Sequence, residues 1–355
     1  MEIEKLNRKK SNVETLLEIQ NSKLPLIIWG GGKLAEIFIK RFKRLNIPIN
    51  GVFSDNLKDI GKIINDEIEI ESFETICLKN ERFNILVAHG YPEQRIKYQG
   101  HDSVFKIFYL FDIHEFEMSI GDEFITLNKK SLNEIFDCLS DPDSKDSFNN
   151  YLTARYNNDW GLIYKNVVNW DYIPEFLNLT KDEVVVDCGA YDGDSLFNYI
   201  NKIGGYSKYY AIEPDFNNFK TLKNKIINLP NTQILNIGVW NKKDRLSFNL
   251  NDDQSKIMNN EPELDSNIIM VDTVDNICEN TASFIKMDIE GAEYEALLGS
   301  VKTISLQKPK LAISIYHKQI DLYRLFILIK SIRSDYKFYF RLHNRLGVDA
   351  ILYAV

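Results

Sequence analysis

The sequence predicts an α/β protein with two doubly wound parallel sheets, one in each half of the chain. In both halves, short apolar runs that end in glycine turns alternate with helical stretches. A length of 355 residues exceeds what one typical hydrophobic core holds. We therefore expect a first domain at residues 1–112, a helical connector at 113–180 and a second domain at 181–355.

Composition and charge narrow the classes of function. The chain is 44% hydrophobic and 26% charged, as in soluble globular proteins, and its net charge of −8 with scattered basic residues argues against a nucleic-acid partner. No apolar run approaches the roughly 18 residues of a membrane span, and residues 1–10 lack the apolar core of a secretion signal. Widely spaced cysteines predict reduced thiols in a cytoplasmic protein and no zinc site. They are Cys77, Cys138, Cys188 and Cys278.

The first domain follows a polar leader, residues 1–22, which we expect to form a helix packed on that domain. Apolar runs then alternate with one clear helical stretch at 34–45. The runs that predict strands are 24–29, 49–53, 83–88 and 104–110.

A glycine turn follows the first of these strands. Gly30, Gly32 and Ala35 match G-x-G-x-x-A, and Asp55 lies 23 residues past Gly32, near where an acid can hold a ribose. Such glycines also serve close helix–strand packing, so nucleotide binding and pure packing both stay open.

The connector carries helical patches at 132–139 and 147–155, with a turn predicted at 141–143. It is also rich in aromatic residues, which either pack between domains or line a cleft. In the second case Trp170 or Tyr172 would stack on a sugar face. The aromatic residues are Tyr151, Tyr156, Trp160, Tyr164, Trp170 and Tyr172.

The second domain opens with a strand, 184–186, followed by an acidic glycine turn. The turn places three carboxylates where a pyrophosphate would favour none. An acidic turn suits a cationic ligand, and the sulfonium and amino groups of S-adenosylmethionine fit that description. A structural turn that binds nothing is the alternative. The carboxylates are those of Asp187, Asp192 and Asp194.

Backbone freedom and capping complete the prediction for this turn. Gly189 and Gly193 let a ligand approach backbone that carries no Cβ. Asp194 or Ser195 is expected to cap a helix that begins near Leu196.

The next two strands supply further expected cofactor contacts. Glu213 ends the strand 208–212, and there a carboxylate can accept both ribose hydroxyls. A helix at 216–227 follows. The third strand, 233–239, ends at Gly238 and Val239, which should border the adenine.

Three residues near later strand ends are candidates for catalysis. A predicted strand at 284–288 ends at Asp288, and Glu290 lies two residues further on. We expect both carboxylates to face the sulfonium and the acceptor. The alternative is that they only cap the next helix. His317 ends the strand 310–316, and its imidazole titrates near neutral pH, so we hypothesise that it is the general base. A hydrogen-bonded histidine of structural role is the alternative.

Asp288 and Glu290 are rival bases, and either could orient His317 instead. The same three side chains could assemble around a cation. Their spacing is not that of a known metal motif, however, so metal-free catalysis is the prediction.

The chain ends in two strands, 337–342 and 350–354, after a helix at 320–332. Their connection, Arg345 to Val348, is short enough for a hairpin. A parallel sheet closed by an antiparallel hairpin is how class I methyltransferases complete seven strands. Residues 246–250 form an added strand or hairpin arm, and 268–275 lead into a short helix.

Several phrases of the second half resemble the FkbM family of methyltransferases, over roughly residues 180–355. They are VDCGAYDGDS at 186–195, AIEPD at 211–215, IKMDIEGAE at 285–293, ISIYH at 313–317 and ILYAV at 351–355. The resemblance implies a class I fold and S-adenosylmethionine-dependent O-methylation of sugar or polyketide-type hydroxyls. It implies cofactor contacts at Asp187, Gly189, Glu213 and Asp288.

With neighbouring motif positions, the predicted cofactor site is a set of thirteen residues. These are Asp187, Gly189, Ala190, Tyr191, Asp192, Gly193, Asp194, Ser195, Glu213, Pro214, Gly238, Val239 and Asp288. The first half is similar to Rossmann-like domains fused ahead of such enzymes in bacterial surface-polysaccharide loci, and residues 144–155 resemble their connector.

Three classes of function follow. The first is O-methylation of a saccharide or related polar metabolite, either free, nucleotide-linked or polymer-linked. The second is a nicotinamide-dependent enzyme that uses the turn from Gly30 to Ala35. The third is a non-catalytic module that binds a ligand or partner. The first domain either recognises a nucleotide-linked sugar or holds a homodimer.

Overall fold

The structure of the protein is a computed structural model, and it describes most of the chain. The described residues are 12–89, 97–110, 120–157, 162–163, 165–168, 172–249, 256–258, 267–344 and 347–355.

The α-helices of the described part are named in chain order. They are α1 (Asn12–Asn21), α2 (Lys33–Arg44), α3 (Phe73–Lys79), α4 (Asp122–Cys138), α5 (Pro142–Asn157), α6 (Asp194–Ile203), α7 (Phe216–Ile226), α8 (Val274–Ile277), α9 (Glu293–Leu298), α10 (Val301–Gln307) and α11 (Asp321–Ile332).

The strands form three sheets. They are β1 (Leu26–Trp29), β2 (Gly51–Phe53), β3 (Ile63–Ile64), β4 (Ile68–Glu71), β5 (Phe83–Val87), β6 (Val104–Phe108), β7 (Val184–Cys188), β8 (Lys208–Ile212), β9 (Thr232–Leu235), β10 (Gly238–Val239), β11 (Asp244–Asn249), β12 (Lys256–Met258), β13 (Asn267–Asp272), β14 (Phe284–Met287), β15 (Lys310–Ser314), β16 (Phe338–Leu342) and β17 (Ala350–Ala354).

The first sheet confirms a Rossmann-like first half. Its order is β3-β4-β2-β1-β5-β6, and all neighbours are parallel except β3 and β4. The leader contributes α1. The sequence did not predict β3, β4 or α3, because elements of two to seven residues are too short for a recognisable hydrophobic period. Ile70 anchors β4 in the core, where its side chain is 2% exposed.

The second sheet confirms the seven-stranded fold with a terminal hairpin. Its order is β16-β17-β15-β14-β7-β8-β9, and β17 alone runs antiparallel to its neighbours β15 and β16. The predicted strand 184–186 is two residues too short, because β7 continues to Cys188. Asp187 and Cys188 pair with both β8 and β14, and both are completely buried.

A third, four-stranded sheet corrects the predicted strand at 233–239. That stretch divides into β9, in the seven-stranded sheet, and β10, which pairs with β13 in the order β10-β13-β11-β12. The side-chain amide of Asn236 lies between the two strands and donates to the backbone oxygens of Glu213 (2.9 Å) and Pro214 (3.0 Å). These bonds hold the chain where it leaves one sheet for the other. The predicted arm at 246–250 is β11.

The connector docks on the edge of the seven-stranded sheet. Arg341 of β16 binds both oxygens of Asp141, at 3.3 and 2.7 Å, and the Ser144 hydroxyl accepts from the Phe340 amide at 2.9 Å. The turn predicted at 141–143 is instead the start of α5. Pro142 is its first residue, where a missing amide proton costs nothing, and Asp141 accepts from the Ser144 amide at 2.7 Å.

Within the described residues, no helix combines the length and the apolar character needed to cross a bilayer. The four cysteines are all free thiols.

Candidate active site

The acidic turn and the end of β8 meet at Glu213. One carboxylate oxygen accepts from the Tyr191 amide and the other from the Asp215 amide, each at 2.9 Å. The side chain is 6% exposed, and burial raises its pKa to about 7. Each oxygen of a carboxylate has two lone pairs, so Glu213 retains capacity for two more donors.

Close contact between two strand ends explains the first glycine of the turn. Gly189 has φ +82°, and a Cβ there would lie 2.0 Å from the carbonyl oxygen of Asp288. The amides of Gly189 and Ala190 both donate to the Ile212 carbonyl at 3.0 Å. The turn is thereby tied to β8 on one side and to the end of β14 on the other.

Asp187 lies beneath the turn rather than in it. Its carboxylate is completely buried, pairs with Lys286 at 3.0 Å and accepts from the Tyr209 hydroxyl at 2.8 Å. Lys286 also donates to the Gly189 carbonyl at 3.2 Å. Burial alone lowers the pKa of Lys286, but the Asp187 and Asp288 carboxylates outweigh burial and raise it. Asp187 therefore acts on the turn through a charged lysine.

The cap predicted for α6 is wrong. The helix starts at Asp194, and its N-cap is Gly193, which has φ +94° and no side chain to offer. Asp194 accepts instead from the Ser195 amide at 2.6 Å. The third acid of the turn, Asp192, pairs with Lys225 of α7 at 2.5 Å. Of the three carboxylates that the sequence analysis assigned to the turn, Asp187 and Asp192 are thus already paired with lysines.

The residues predicted to border an adenine lie in two places. Pro214 follows Glu213 and accepts from Asn236, as described above. Gly238 and Val239 form β10, and both are buried beside β13. The Asn236 side chain, just after the end of β9, connects this region to Glu213 by donating to the Glu213 backbone oxygen.

Asp288 lies at the centre of a second polar group at the carboxyl ends of β14 and β15. It accepts from the hydroxyls of Tyr316, at 3.1 Å, and Tyr172, at 3.5 Å. The Tyr172 hydroxyl also donates to Asp349, which a further bond from Asn344 holds at 3.2 Å. Asp349 is 6% exposed, and burial raises its pKa to about 6.

His317 is buried among carboxylates. Its Nδ1 lies 2.9 Å from Glu293, and its Nε2 lies 3.5 Å from both Asp288 and Glu290. Burial alone lowers the pKa of the imidazole, but Glu293 and Glu290 outweigh burial and raise it to about 10. The expectation that His317 titrates near neutrality is therefore wrong. An imidazolium holds a proton and cannot accept a second one.

Glu290 is the acid of this group with the most exposed side chain, 31% against 21% for Asp288. Its Oε2 atom is buried and has no hydrogen-bond partner among the described residues. Burial raises its pKa to about 7, although the nearby His317 opposes the rise.

Backbone strain concentrates in the same region. Among the described residues, five that are neither Gly, Asn nor Asp adopt positive φ, and three of them lie here. Tyr172, Tyr191 and Glu290 have φ values of +52°, +47° and +55°. Left-handed residues of this kind cost free energy and cluster where function requires them.

One group of side chains has the spacing of a metal site. Single ligand atoms of Asp288, Glu293 and His317 lie within 4.8 Å of one another. The sequence had placed Glu290 in that set, and the described structure has Glu293 instead, because Glu293 reaches back from the first turn of α9.

The glycine turn of the first half has a packing role. A Cβ on Gly30 would lie 2.5 Å from the Ala88 carbonyl oxygen. Asp55 already accepts from the Trp29 indole (3.1 Å), Lys97 (2.6 Å) and the Tyr98 hydroxyl (2.5 Å). A ribose at Asp55 would have to compete with these donors.

Several site residues escaped the sequence analysis. Lys286 had a usable signal, because a lysine inside the apolar run FIKM requires a buried partner. Asp349 and Asn344 carry no pattern that distinguishes them from ordinary loop residues. Of the predicted aromatics, Tyr172 lies in the site, whereas Trp160, Tyr164 and Trp170 fall outside the described residues.

Residues 187–338 match the family model of the methyltransferase FkbM domain. The resemblance found in the sequence is confirmed. The matched region begins at Asp187 of β7 and ends at Phe338 of β16. It contains Glu213, Asp288 and His317, whereas Tyr172, Asn344 and Asp349 of the second polar group lie outside it. The match to this family supports methyltransferase activity for the chain.

Solved structures agree on the fold. The chain is similar to the crystal structure of methyltransferase FkbM from Methylobacillus flagellatus KT, with a TM-score of 0.73 and 22% identity over 98% of this chain and 94% of that one. At this identity the likeness shows a shared fold. No curated protein sequence matches the chain.

Two further solved structures resemble the chain only weakly, each with a TM-score of 0.32. One is Aeropyrum pernix fibrillarin with natively bound S-adenosyl-L-methionine, at 12% identity over 50% of this chain and 67% of that one. The other is an rRNA methylase from Streptococcus thermophilus, at 16% identity over 51% of this chain and 90% of that one.

Proposed function

We propose that the protein transfers a methyl group from S-adenosylmethionine to a hydroxyl of a sugar or related polar metabolite. The observation that carries the proposal is Glu213, a buried carboxylate at the end of β8 whose remaining lone pairs suit the two ribose hydroxyls. The Gly189 turn lies beside it, and Asp288 follows on the next strand end. The cofactor would extend along this edge from Glu213 to Asp288.

The second polar group suits a hydroxyl-rich acceptor. Asp288, Glu290, Asp349 and the hydroxyls of Tyr172 and Tyr316 offer both acceptors and donors near the expected methyl group. Methyl transfer requires the acceptor oxygen to lie in line with the departing sulfur, at about 3 Å from the methyl carbon. Polar side chains at the neighbouring ends of β14 and β15 would supply that alignment. A bacterial surface-polysaccharide precursor, free or nucleotide-linked, is the acceptor class we propose.

Glu290 replaces His317 as the proposed general base. Its backbone is strained, and its side chain is 31% exposed. Oε2 is buried beside His317, so an acceptor hydroxyl would reach the other carboxylate oxygen, Oε1. His317 is enclosed completely and faces carboxylates.

Calorimetry tests the proposal. Wild-type protein should bind S-adenosylmethionine with micromolar affinity, and Glu213→Ala should weaken binding by at least tenfold. Glu183→Ala is the matched control, because Glu183 is an equally buried glutamate at the opposite end of β7. A screen of sugars and nucleotide sugars should then yield one product heavier by a methylene unit. No binding to wild type, or equal loss in both variants, would contradict the assignment of this site.

NADH titration separates the second class of function. The occupied carboxylate of Asp55 and the packing role of Gly30 favour a structural first half. We therefore expect no NADH binding, whereas binding of NADH alone would move the chemistry to the first half. A protein that binds S-adenosylmethionine but methylates nothing would support the third class, a non-catalytic module.

A further inference from the structure

The acidic group around His317 contains more negative charge than its one imidazole can balance. Carboxylates of Asp288, Glu290 and Glu293 all lie within 3.5 Å of the ring nitrogens. Asp288 helps to raise the pKa of the nearby Lys286. The Lys286 ammonium group already donates hydrogen bonds to Asp187 and to the Gly189 carbonyl. A second cation would stabilise this arrangement.

The distances on the Nε2 side are close to those of two ligands of one ion. Two atoms held about 2.1 Å from a cation at octahedral or tetrahedral angles lie about 3.0–3.4 Å apart. Nε2 of His317 lies 3.5 Å from Asp288 Oδ1, which exceeds the roughly 2.7–2.9 Å of a charge-assisted hydrogen bond. At 3.5 Å the pair is slightly wider than two ligands of one ion and too wide for a charge-assisted hydrogen bond.

Glu293 supplies an independent indication. The side chain is completely buried, and Oε1 accepts from the Ile289 amide at 2.9 Å. Oε2 has no hydrogen-bond partner among the described residues. A buried carboxylate oxygen without a partner is costly, and a metal ion is one of the few groups that would satisfy it.

We propose that Asp288, Glu293 and His317 bind a divalent transition-metal ion at the carboxyl ends of β14 and β15, and that the ion displaces the proton of the His317 imidazolium, because a coordinating imidazole nitrogen must give up its proton. Single ligand atoms of the three residues lie within 4.8 Å of one another. Atoms at that limit would have to approach by about 1.4 Å to reach the roughly 3.4 Å that separates two ligands of one ion. One imidazole with carboxylates is a donor set that suits Mn²⁺ or Zn²⁺ better than Mg²⁺. The ion would enter past Asp288, whose side chain is 21% exposed.

The role of the ion rests on the proposed function. Placed beside Asp288, it would coordinate the acceptor oxygen and orient it toward the methyl group. Binding of the ion itself depends only on the three side chains, so it can be measured without any acceptor or cofactor.

Titration of the full-length protein with Mn²⁺ alone tests the proposal. We expect one ion per chain, and at least tenfold weaker binding in both Glu293→Gln and His317→Gln. Glu295→Gln is the matched control, because Glu295 lies on the same helix, loses the same charge and is bonded only to Asn241 among the contacts described. Circular dichroism checks that each variant is folded.

Wild-type protein gives a second readout should a variant fail to fold. Electron spin echo spectra of bound Mn²⁺ should show coupling to a single imidazole nitrogen. Absence of Mn²⁺ binding, binding that survives both variants, or a spectrum without nitrogen coupling would overturn the metal site. Separate titration with S-adenosylmethionine shows whether the cofactor proposal fails at the same time.

Discussion

Among single residues, Glu213 ties the acidic turn to the end of β8 in the candidate site. Its carboxylate is buried and fixed by two backbone amides, one from the acidic turn and one from its own strand end. Burial leaves its pKa near 7, so the ligand-free protein holds a proton there over part of the neutral range. Hydroxyl donors from a ribose favour the ionised form and would lower the pKa.

Binding of S-adenosylmethionine should therefore release a proton. At pH 6.5 we expect the observed enthalpy to differ between buffers of different ionisation enthalpy. Affinity should rise between pH 6 and 8 as Glu213 loses its proton. Glu213→Gln is the control, since an amide cannot titrate. Equal enthalpies in both buffers for wild type would contradict this role of Glu213.

Glu290 is the proposed general base, and its replacement tests that role. Glu290→Gln should lower turnover by about 10²- to 10⁴-fold, the contribution of a well-placed general base, while leaving affinity for S-adenosylmethionine within a few-fold. Steady-state methyl transfer and calorimetry measure the two quantities. Glu295→Gln, on the exposed side of α9, should retain activity. Unchanged turnover in Glu290→Gln would remove it from the mechanism.

At the scale of elements, the ends of β7, β8 and β14 create the site by close approach. The Gly189 position permits no side chain, both because φ is +82° and because the Asp288 carbonyl lies where a Cβ would be. Lys286 then ties Asp187, beneath the turn, to the Gly189 carbonyl within it.

Gly189→Ala separates the cost of a positive φ from the cost of contact with the Asp288 carbonyl. The variant should lose more stability than Gly61→Ala, because Gly61 has a similar φ of +85° but open space at its Cβ position. The control should lose only the roughly 1–2 kcal/mol of left-handed strain. Thermal denaturation compares the two, and Gly189→Ala should also lose cofactor affinity. Equal losses of stability would show that contact with Asp288 is unimportant.

Much of the fold was accessible from hydrophobic pattern alone, whereas parts of the site were not. Strands β8 and β17 were predicted to the residue, since each is an apolar run with clear ends. Periodicity could not show that β9 and β10 enter different sheets, because side-chain bonds from Asn236 hold the chain between them. It also could not show that His317 is enclosed by acids, because Glu293 and His317 are far apart in sequence.

In the molecule as a whole, the connector belongs structurally with the seven-stranded sheet of the second half. Helix α5 covers the outer strand β16 through Asp141 and Ser144, and the Tyr151 hydroxyl donates to the Gly347 carbonyl at 2.8 Å. An uncovered edge strand is prone to pair with other chains. The boundary at residue 180 that the sequence predicts would leave this edge open.

Two fragments test where the C-terminal unit begins. A fragment that starts at Ile120 should be monomeric and unfold cooperatively, because it keeps α4 and α5. A fragment that starts at Tyr172 should aggregate, since it exposes β16. Size-exclusion chromatography and thermal denaturation distinguish them, and a stable monomer from Tyr172 onward would contradict the role of the connector.

A crystal structure with S-adenosylhomocysteine would show directly where the cofactor binds. We predict that both ribose hydroxyls lie within hydrogen-bond distance of the Glu213 carboxylate, with the sulfur toward Asp288. A nucleoside bound at the turn from Gly30 to Ala35, or one that makes no contact with Glu213, would show that Glu213 is not the ribose-binding residue.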